Sequence, residues 1–267
     1  MFIRSGFFHR KLRGLALRLL SLIENNNNVD FSANGEERFV DSAIQYFAGL
    51  DQIALEIFDV GANRGDYSQI LLDKLSMQNL NARINIFEPT TSCSQILKNR
   101  YIKKSNVILN QMAVSDENGS LQIYYDQENS ALASLYQRNL AAIGVSLNLS
   151  ETVNAIRLDG YIEAKKIKHI HLFKIDIEGH EIAAFNGMGN YLSGEFIDFI
   201  QFEYGGANLD SKTSLMDLYA LLESKGFLVG KLMPNGVELR PYKPWMDNFQ
   251  YANYVAISSR VTKKFEV

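Results

Sequence analysis

Ile57-Phe58-Asp59-Val60-Gly61-Ala62-Asn63-Arg64-Gly65-Asp66-Tyr67-Ser68-Gln69-Ile70-Leu71-Leu72 is an apolar run that stops at an acid, turns through two glycines and resumes with helical spacing. Its order predicts a strand, a tight loop and a helix. Gly61 and Gly65 tolerate backbone angles that a Cβ forbids, so the main chain can pass close to a ligand and present amides at a helix N-terminus. Asp59, at the carboxyl end of the strand, is expected to point into the same crevice. In open α/β sheets that crevice, at a topological switch point, is where nucleotide-like ligands bind.

The Gly-x-x-x-Gly spacing is neither the dinucleotide fingerprint Gly-x-Gly-x-x-Gly nor a phosphate-binding Walker loop. A second signal comes from Ile84-Asn85-Ile86-Phe87-Glu88-Pro89, a short strand that ends in an acid one helix-plus-strand length further on. A carboxylate placed there can accept both hydroxyls of a ribose. The bland alternative is a helix-capping Asp59 and a surface Glu88, but capping alone does not put both acids at strand ends in the right order.

Outward from this centre, 267 residues suffice for one large α/β domain with an extension. The division is expected at residues 1–33, a basic amphipathic helix and linker, and 34–267, the domain. The 27 basic and 30 acidic residues leave a net charge of −3 and no general electrostatic reason to bind nucleic acid. Cys93 is the sole cysteine, which rules out an intrachain disulfide, and its place in Thr-Ser-Cys-Ser reads as a small buried residue at a helix start. No apolar run reaches the length of a membrane span and no signal cleavage site is evident, so a cytoplasmic protein is expected.

Residues 7–23 carry Phe8, Leu12, Leu15, Leu19 and Leu22 on one helical face, with His9, Arg10, Lys11, Arg13 and Arg18 mostly elsewhere. Three partners suit such a helix: an anionic surface at the inner face of a membrane, its own domain or another subunit. Asn25 to Asn28 reads as the linker to the body.

Towards the C-terminus, helices are expected from about 34 to 47, 67 to 75 and from Ser92, with strands at 53–58, 84–87 and 107–109. Residues 112–116 should lie beside the third strand end, where a base is commonly covered. Asp126 to Ser134 reads as a loop able to close over the site, and Val153 to Leu158 as a strand. Ile170-His171-Leu172-Phe173-Lys174-Ile175-Asp176-Ile177-Glu178-Gly179-His180-Glu181 is a strand with charges that are costly to bury unless paired or used. Residues 196–205 repeat the design and end at Glu203 and Gly205. Strands at 227–232 and 254–258 complete a mostly parallel sheet with an antiparallel edge hairpin and helices on both faces.

Asp59-Val60-Gly61-Ala62-Asn63-x-Gly65, Phe87-Glu88-Pro89, Ala113-Val114-Ser115-Asp116, Arg157-Leu158-Asp159, Lys174-Ile175-Asp176-Ile177-Glu178-Gly179-His180-Glu181, Phe202-Glu203-Tyr204 and Asn253-Tyr254-Val255-Ala256 together resemble an FkbM-type S-adenosylmethionine-dependent methyltransferase. The likeness runs from about residue 34 to 258. It implies an α/β fold with the seven-stranded, Rossmann-like methyltransferase sheet, and methyl transfer to a hydroxyl. By position, Asp59, Gly61, Asn63 and Gly65 would surround the methionine part of S-adenosylmethionine, Glu88 would bind the ribose, and Ala113, Ser115 and Asp116 would line the adenine. Asp176 would face the sulfonium and the acceptor.

Candidate bases for the acceptor hydroxyl are His180, Asp176, Glu178 and Glu203. His180 has the most suitable intrinsic pKa, although its place at a helix start equally suits a capping or packing role. Asp176, Glu178 and Glu203 are also oxygen donors suited to Mg²⁺. His169 and His171 enter their strand from the far end and are left out of the site. The resemblance points to sugars of surface polysaccharides or glycolipids, or to natural products, as acceptors. Tyr101, Tyr124, Tyr125, Tyr136, Tyr204, Tyr242, Trp245 and Tyr251 offer rings able to stack on sugar faces or to pack edge strands. A non-catalytic module that binds cofactor or glycan is the alternative from another class.

Overall fold

The computed structural model describes residues 6–50 and 54–263. The ends of both expected domains, 1–5 and 264–267, lie outside the described residues, as does the expected strand start at residue 53. The chain runs α1 (Phe7–Ile23), α2 (Glu36–Ala48), β1 (Leu55–Val60), α3 (Asp66–Met77), β2 (Ala82–Phe87), α4 (Thr91–Tyr101) and β3 (Val107–Asn110). It continues through β4 (Ala113–Val114), β5 (Gly119–Tyr125), β6 (Leu149–Ile156), α5 (Leu158–Lys165), β7 (Ile170–Ile175), α6 (Glu181–Asn186) and β8 (Ile197–Tyr204). The last elements are α7 (Ala207–Ser211), α8 (Leu215–Ser224), β9 (Phe227–Met233), β10 (Gly236–Leu239), β11 (Ala252–Ser258) and α9 (Ser259–Thr262).

The main sheet has eight strands in the order β10-β9-β11-β8-β7-β1-β2-β3, one more than the seven expected. β3, β2, β1, β7 and β8 are parallel neighbours, and β11 inserts antiparallel between β8 and β9. The additional strand is β10, a hairpin partner of β9. The chain winds from β1 out to β3, then returns to the other side of β1 as β7, which makes the β1/β7 boundary the switch point.

Alternation along the strands divides the core in two. Phe58, Phe173, Ile200 and Phe202 face one layer with α5, α6 and α8, whereas Ile57, Leu172, Phe199 and Val255 face the other with α2 and α3. Phe58 lies between Phe87 and Phe173, each ring centroid 5.8 Å away. Fully burying one such ring contributes about 1.5–3 kcal/mol. On the α2/α3 face the same register aligns Asp59, Lys174 and Gln201 across three strands.

The segment between β3 and β7 departs from expectation. Residues 149–156 form no part of the main sheet; β6 pairs with β4 and β5 in a separate three-stranded sheet, and α5 begins at Leu158. The Gly119 turn sends β5 back along β6, which carries this small sheet up beside the strand ends.

Asn25–Asn28 also differs from a loose linker. Asn25 and Asn26 are buried, Asn25 donates to the carbonyls of Asn34 and Leu232 at 2.7 and 3.1 Å, and the Asn27 amide donates to the Tyr251 carbonyl at 2.8 Å. Positive φ at Asn25 and Asn27 makes this a tight turn, which asparagine tolerates better than most residues. No described helix is long and apolar enough to cross a membrane.

Candidate active site

The loop from β1 to α3 is shaped by close approach. Gly61 has φ +83°, and a Cβ there would lie 1.9 Å from the Asp176 carbonyl oxygen, so only glycine lets β1 and β7 diverge at this point. Its amide and that of Ala62 donate to the Phe87 carbonyl at 2.9 and 3.2 Å. Asn63, itself at φ +49°, donates its backbone N–H to Glu88 Oε2 at 2.9 Å and its side-chain amide to the Ser130 carbonyl at 2.8 Å. Val60, Gly61, Asn63, Glu88, Ala113 and Asp176 therefore line one cleft of about 730 Å³ at the switch point.

Glu88 is buried, and Oε1 accepts from the Thr90 amide at 2.9 Å and the Thr90 hydroxyl at 2.6 Å. Burial pushes its carboxyl up to about 7 against these bonds and that from Asn63. Three donors leave one of the four lone-pair sites, on Oε2, able to receive a hydroxyl from the cleft. Met112, Ala113, Val114 and Ile123, with Ala133 and Leu135 of the following loop, form an apolar wall beside it. That wall comes from β4, β5 and the loop they carry. An apolar slot for a base, an acid for ribose hydroxyls and acids at the far end for a sulfonium cation match the parts of S-adenosylmethionine.

At that far end the side-chain oxygens of Asp176, Glu178 and Glu203 lie within 4.8 Å of one another. Lys174 Nζ donates to Asp176 Oδ2 at 3.2 Å, and Arg138 is hydrogen-bonded to Glu178 and, at 3.3 Å, to Asp210. Burial, then the charges of Asp176 and neighbouring acids, pushes Glu178 up to about 8 in spite of Arg138. Burial and the Asp176 and Glu178 charges likewise raise Glu203 well above the carboxylate range. Burial pulls Lys174 down, but Asp176, Glu36 and Glu203 outweigh it and keep the ammonium above the usual lysine range. Glu36 belongs to a buried network on the α2/α3 face: Gln201 donates to it at 2.6 Å, Asn253 at 3.1 Å, and Tyr67 donates to Gln201 at 2.7 Å.

Several expected site residues stand elsewhere. Asp59 faces away from the cleft and accepts from Ser68 Oγ at 2.5 Å, because its neighbours Phe58 and Val60 take the other face of β1. Burial raises it to about 6. Gly65 shapes the turn without lining the cleft: its carbonyl accepts from Tyr101 OH at 2.7 Å, and a Cβ would meet Leu97 at 2.6 Å. Ser115 and Asp116 lie past the apolar wall rather than in it.

His180 is likewise displaced from the cleft lining. Its Nε2 is 2.9 Å from Ser115 Oγ and its Nδ1 3.0 Å from Tyr136 OH, so both ring nitrogens are engaged in tying the loop after β5 to the start of α6. Burial lowers its pKa. Glu203 joins the acid cluster but does not line the cleft, whereas Glu178 and Asp176 do both.

The loop expected to close over the site, Asp126 to Ser134, does reach it through Ser130, Ala131 and Ala133, whereas Leu135 and Arg138 lie beyond its expected end and carried no signal in the sequence. The aromatic set divides as well. Tyr101 is taken up by Gly65, and Tyr204 and Tyr242 donate to Asp247 at 2.9 and 2.5 Å, while Tyr251 lies against Gly205 beside Glu203.

His169, His171 and Asp198 gather at the opposite end of the strands. Their groups have protein partners: His171 Nδ1 accepts from the Glu56 amide at 2.9 Å, and Arg260 donates to Asp198 at 2.5 Å. The accepting Nδ1 puts the His171 proton on Nε2, which leaves that ring without a free lone pair for a metal.

A family model described as the methyltransferase FkbM domain matches residues 59–229. Among solved structures, a methyltransferase FkbM from Methylobacillus flagellatus KT is 16% identical with a TM-score of 0.47, over 80% of this chain and 47% of that chain. The chain thus spans about half the length of that protein. A precorrin-6y C5,15-methyltransferase from Geobacter metallireducens GS-15 is 11% identical with a TM-score of 0.41, covering 84% of this chain and 87% of that one. A TehB-like S-adenosylmethionine-dependent methyltransferase from Corynebacterium glutamicum ATCC 13032 is 10% identical with a TM-score of 0.41, covering 92% and 97%. No curated protein is significantly similar in sequence. The family model covers more than half of the chain and contains the cleft, the apolar wall and the acid cluster, and the chain belongs to the FkbM family of S-adenosylmethionine-dependent methyltransferases.

Proposed function

We propose that this chain O-methylates a hydroxyl of a saccharide, with the carboxyl cluster at the end of β7 and β8 taking the hydroxyl proton. One observation carries the reading: Asp176 belongs both to the cleft that suits the methyl donor and to the triad with Glu178 and Glu203. S-adenosylmethionine supplies an activated methyl on a cationic sulfur. Asp176 would face that cation from the acceptor side, and the apolar wall and Glu88 would hold the rest of the cofactor. The triad would align the acceptor hydroxyl and take its proton on a carboxylate as the methyl leaves sulfur for oxygen, with S-adenosylhomocysteine as the leaving group.

Close like charges titrate as a group, so the proton acceptor is the coupled triad rather than one residue assigned from its ordinary pKa. Burial and mutual repulsion raise the proton affinity of Glu178, to about 8, and of Glu203, so a proton arriving there is held more firmly than by a free glutamate. A saccharide suits this end because its vicinal hydroxyls can pair with several carboxylates at once. Lys174 and Arg138 already neutralise Asp176 and Glu178, so the reading leaves those oxygens to protein cations rather than to Mg²⁺.

The test is transfer of label from methyl-labelled S-adenosylmethionine to a panel of saccharides and extracted glycolipids, with and without EDTA. Labelled glycan in both conditions is expected. Label found only in non-sugar natural products would replace the acceptor class, and loss under EDTA restored by Mg²⁺ would bring the ion into the site. Cofactor binding without transfer to any acceptor would overturn the catalytic reading in favour of a binding module.

A further inference from the structure

The helix α1 presents an apolar surface that the described residues leave uncovered. None of its described residues is buried; Phe8 is 73% exposed and Leu22 78%. At 3.6 residues per turn, Leu22, Leu15, Phe8, Leu19, Leu12 and Ile23 fall on one arc of about 100° that holds no charge. Lys11 and Arg18 flank one edge of that arc, Arg10 and Arg13 lie on the opposite side, and no acid occurs between Phe7 and Ile23. The chain as a whole carries −3, so this helix, with four basic residues and no acid, is a local excess of positive charge.

The root of the helix is fixed. Glu24 accepts from Arg240 at 2.8 Å and from Lys231 at 3.4 Å, and Asn26 accepts from Lys231 at 2.5 Å and donates to Gln250 at 2.9 Å. Asn27 then donates to the Tyr251 carbonyl, and the Tyr251 backbone abuts Gly205 at the end of β8. The base of the exposed helix thus reaches the end of β8, the strand that carries Glu203.

We infer that α1 is an interfacial anchor that lies on an anionic phospholipid surface and holds the acceptor side of the cleft beside it, where lipid-linked glycans present their hydroxyls. Charge complementarity decides the occupant. Paired helices set their partner by opposite charges flanking the apolar seam, and here the one charged flank, Lys11 and Arg18, finds no acid on a second copy of the helix. A basic helix with a charge-free apolar face has both terms that bind an anionic bilayer: burial of Phe and Leu, and attraction of Lys and Arg to the headgroups. The glycan part of this inference rests on the saccharide reading above; the bilayer part does not.

The experiment is flotation of the full chain with vesicles of phosphatidylcholine containing phosphatidylglycerol, and with phosphatidylcholine alone. Sedimentation without lipid and calorimetry with S-adenosylhomocysteine accompany it. The full chain should float with the anionic vesicles and sediment as a monomer alone. Leu15→Glu should abolish flotation with S-adenosylhomocysteine affinity unchanged, and Arg18→Ala should lower the partition coefficient about fivefold. Equal absence of flotation from both vesicle types would overturn the inference. A dimer in solution that Leu15→Glu dissolves would assign the arc to a second copy instead. If vesicles bind yet no glycan is methylated, the acceptor reading fails and the anchor stands.

Discussion

The two acidic ends of the cleft are built in opposite ways. Glu88 stands alone, held by the Asn63 and Thr90 amides and the Thr90 hydroxyl, with no cation among its bonded partners. Asp176, Glu178 and Glu203 stand together and are compensated by Lys174 and Arg138 rather than by a set of backbone donors. Backbone amides do not titrate or move, so the Glu88 end is a fixed acceptor of hydroxyls. A cluster of acids close enough to share a proton can take one up among them, which suits the end where a hydroxyl must lose one.

The largest break should come from the triad. Asp176→Asn keeps the shape but removes the charge shared by cleft and cluster, and should cut turnover by a factor on the order of 10³. S-adenosylhomocysteine, which lacks the sulfonium charge, should bind almost as before by calorimetry. Turnover within tenfold of wild type would remove the triad from the chemistry.

A middle-sized effect is expected at the other end. Glu88→Gln should weaken S-adenosylhomocysteine binding roughly tenfold to a hundredfold, the usual worth of a hydrogen bond to a charged acceptor. It should also change how the cofactor-free protein responds to pH. The Glu88 carboxyl is raised from 4.5 to about 7 on folding, so the stability it contributes is fully present below 4.5 and is lost as pH rises through 7. Gln mimics the protonated group at every pH, so the variant should gain on wild type by on the order of 3 kcal/mol across that window. Parallel pH profiles in thermal unfolding would mean that Glu88 titrates normally.

The smallest effect on turnover is expected at His180, outside both ends. His180→Ala should leave kcat within about tenfold, and should cost about 1–3 kcal/mol of stability by removing the partner of Tyr136 OH and one of the two partners of Ser115 Oγ. A loss of 10² or more in kcat, with cofactor binding preserved, would return the histidine to the role of base.

These contrasts follow the line between what was legible in the chain and what was not. The β1–Gly61–α3 turn, Glu88 at the end of β2 and Asp176 at the end of β7 were all readable, because each is a local pattern of apolar run, acid and glycine. The buried Lys174 was readable as a paired charge for the same reason. The orientation of Asp59 was not, since alternation within a strand tells which residues share a face but not which face carries the ligand. Nor was the separate β4-β6-β5 sheet, whose short strands carry the same alternation as strands of the main sheet.

By itself the sequence determined the doubly layered α/β plan, the cofactor loop and the identity of the acids, since these depend on periodicity and on residues adjacent in the chain. Only the tertiary structure decided that Glu178 and Glu203 meet Asp176, that Arg138 from a distant loop balances them, and that His180 serves Tyr136 and Ser115 instead. Those relations join segments far apart in the chain, and packing alone sets which of them come within hydrogen-bond reach.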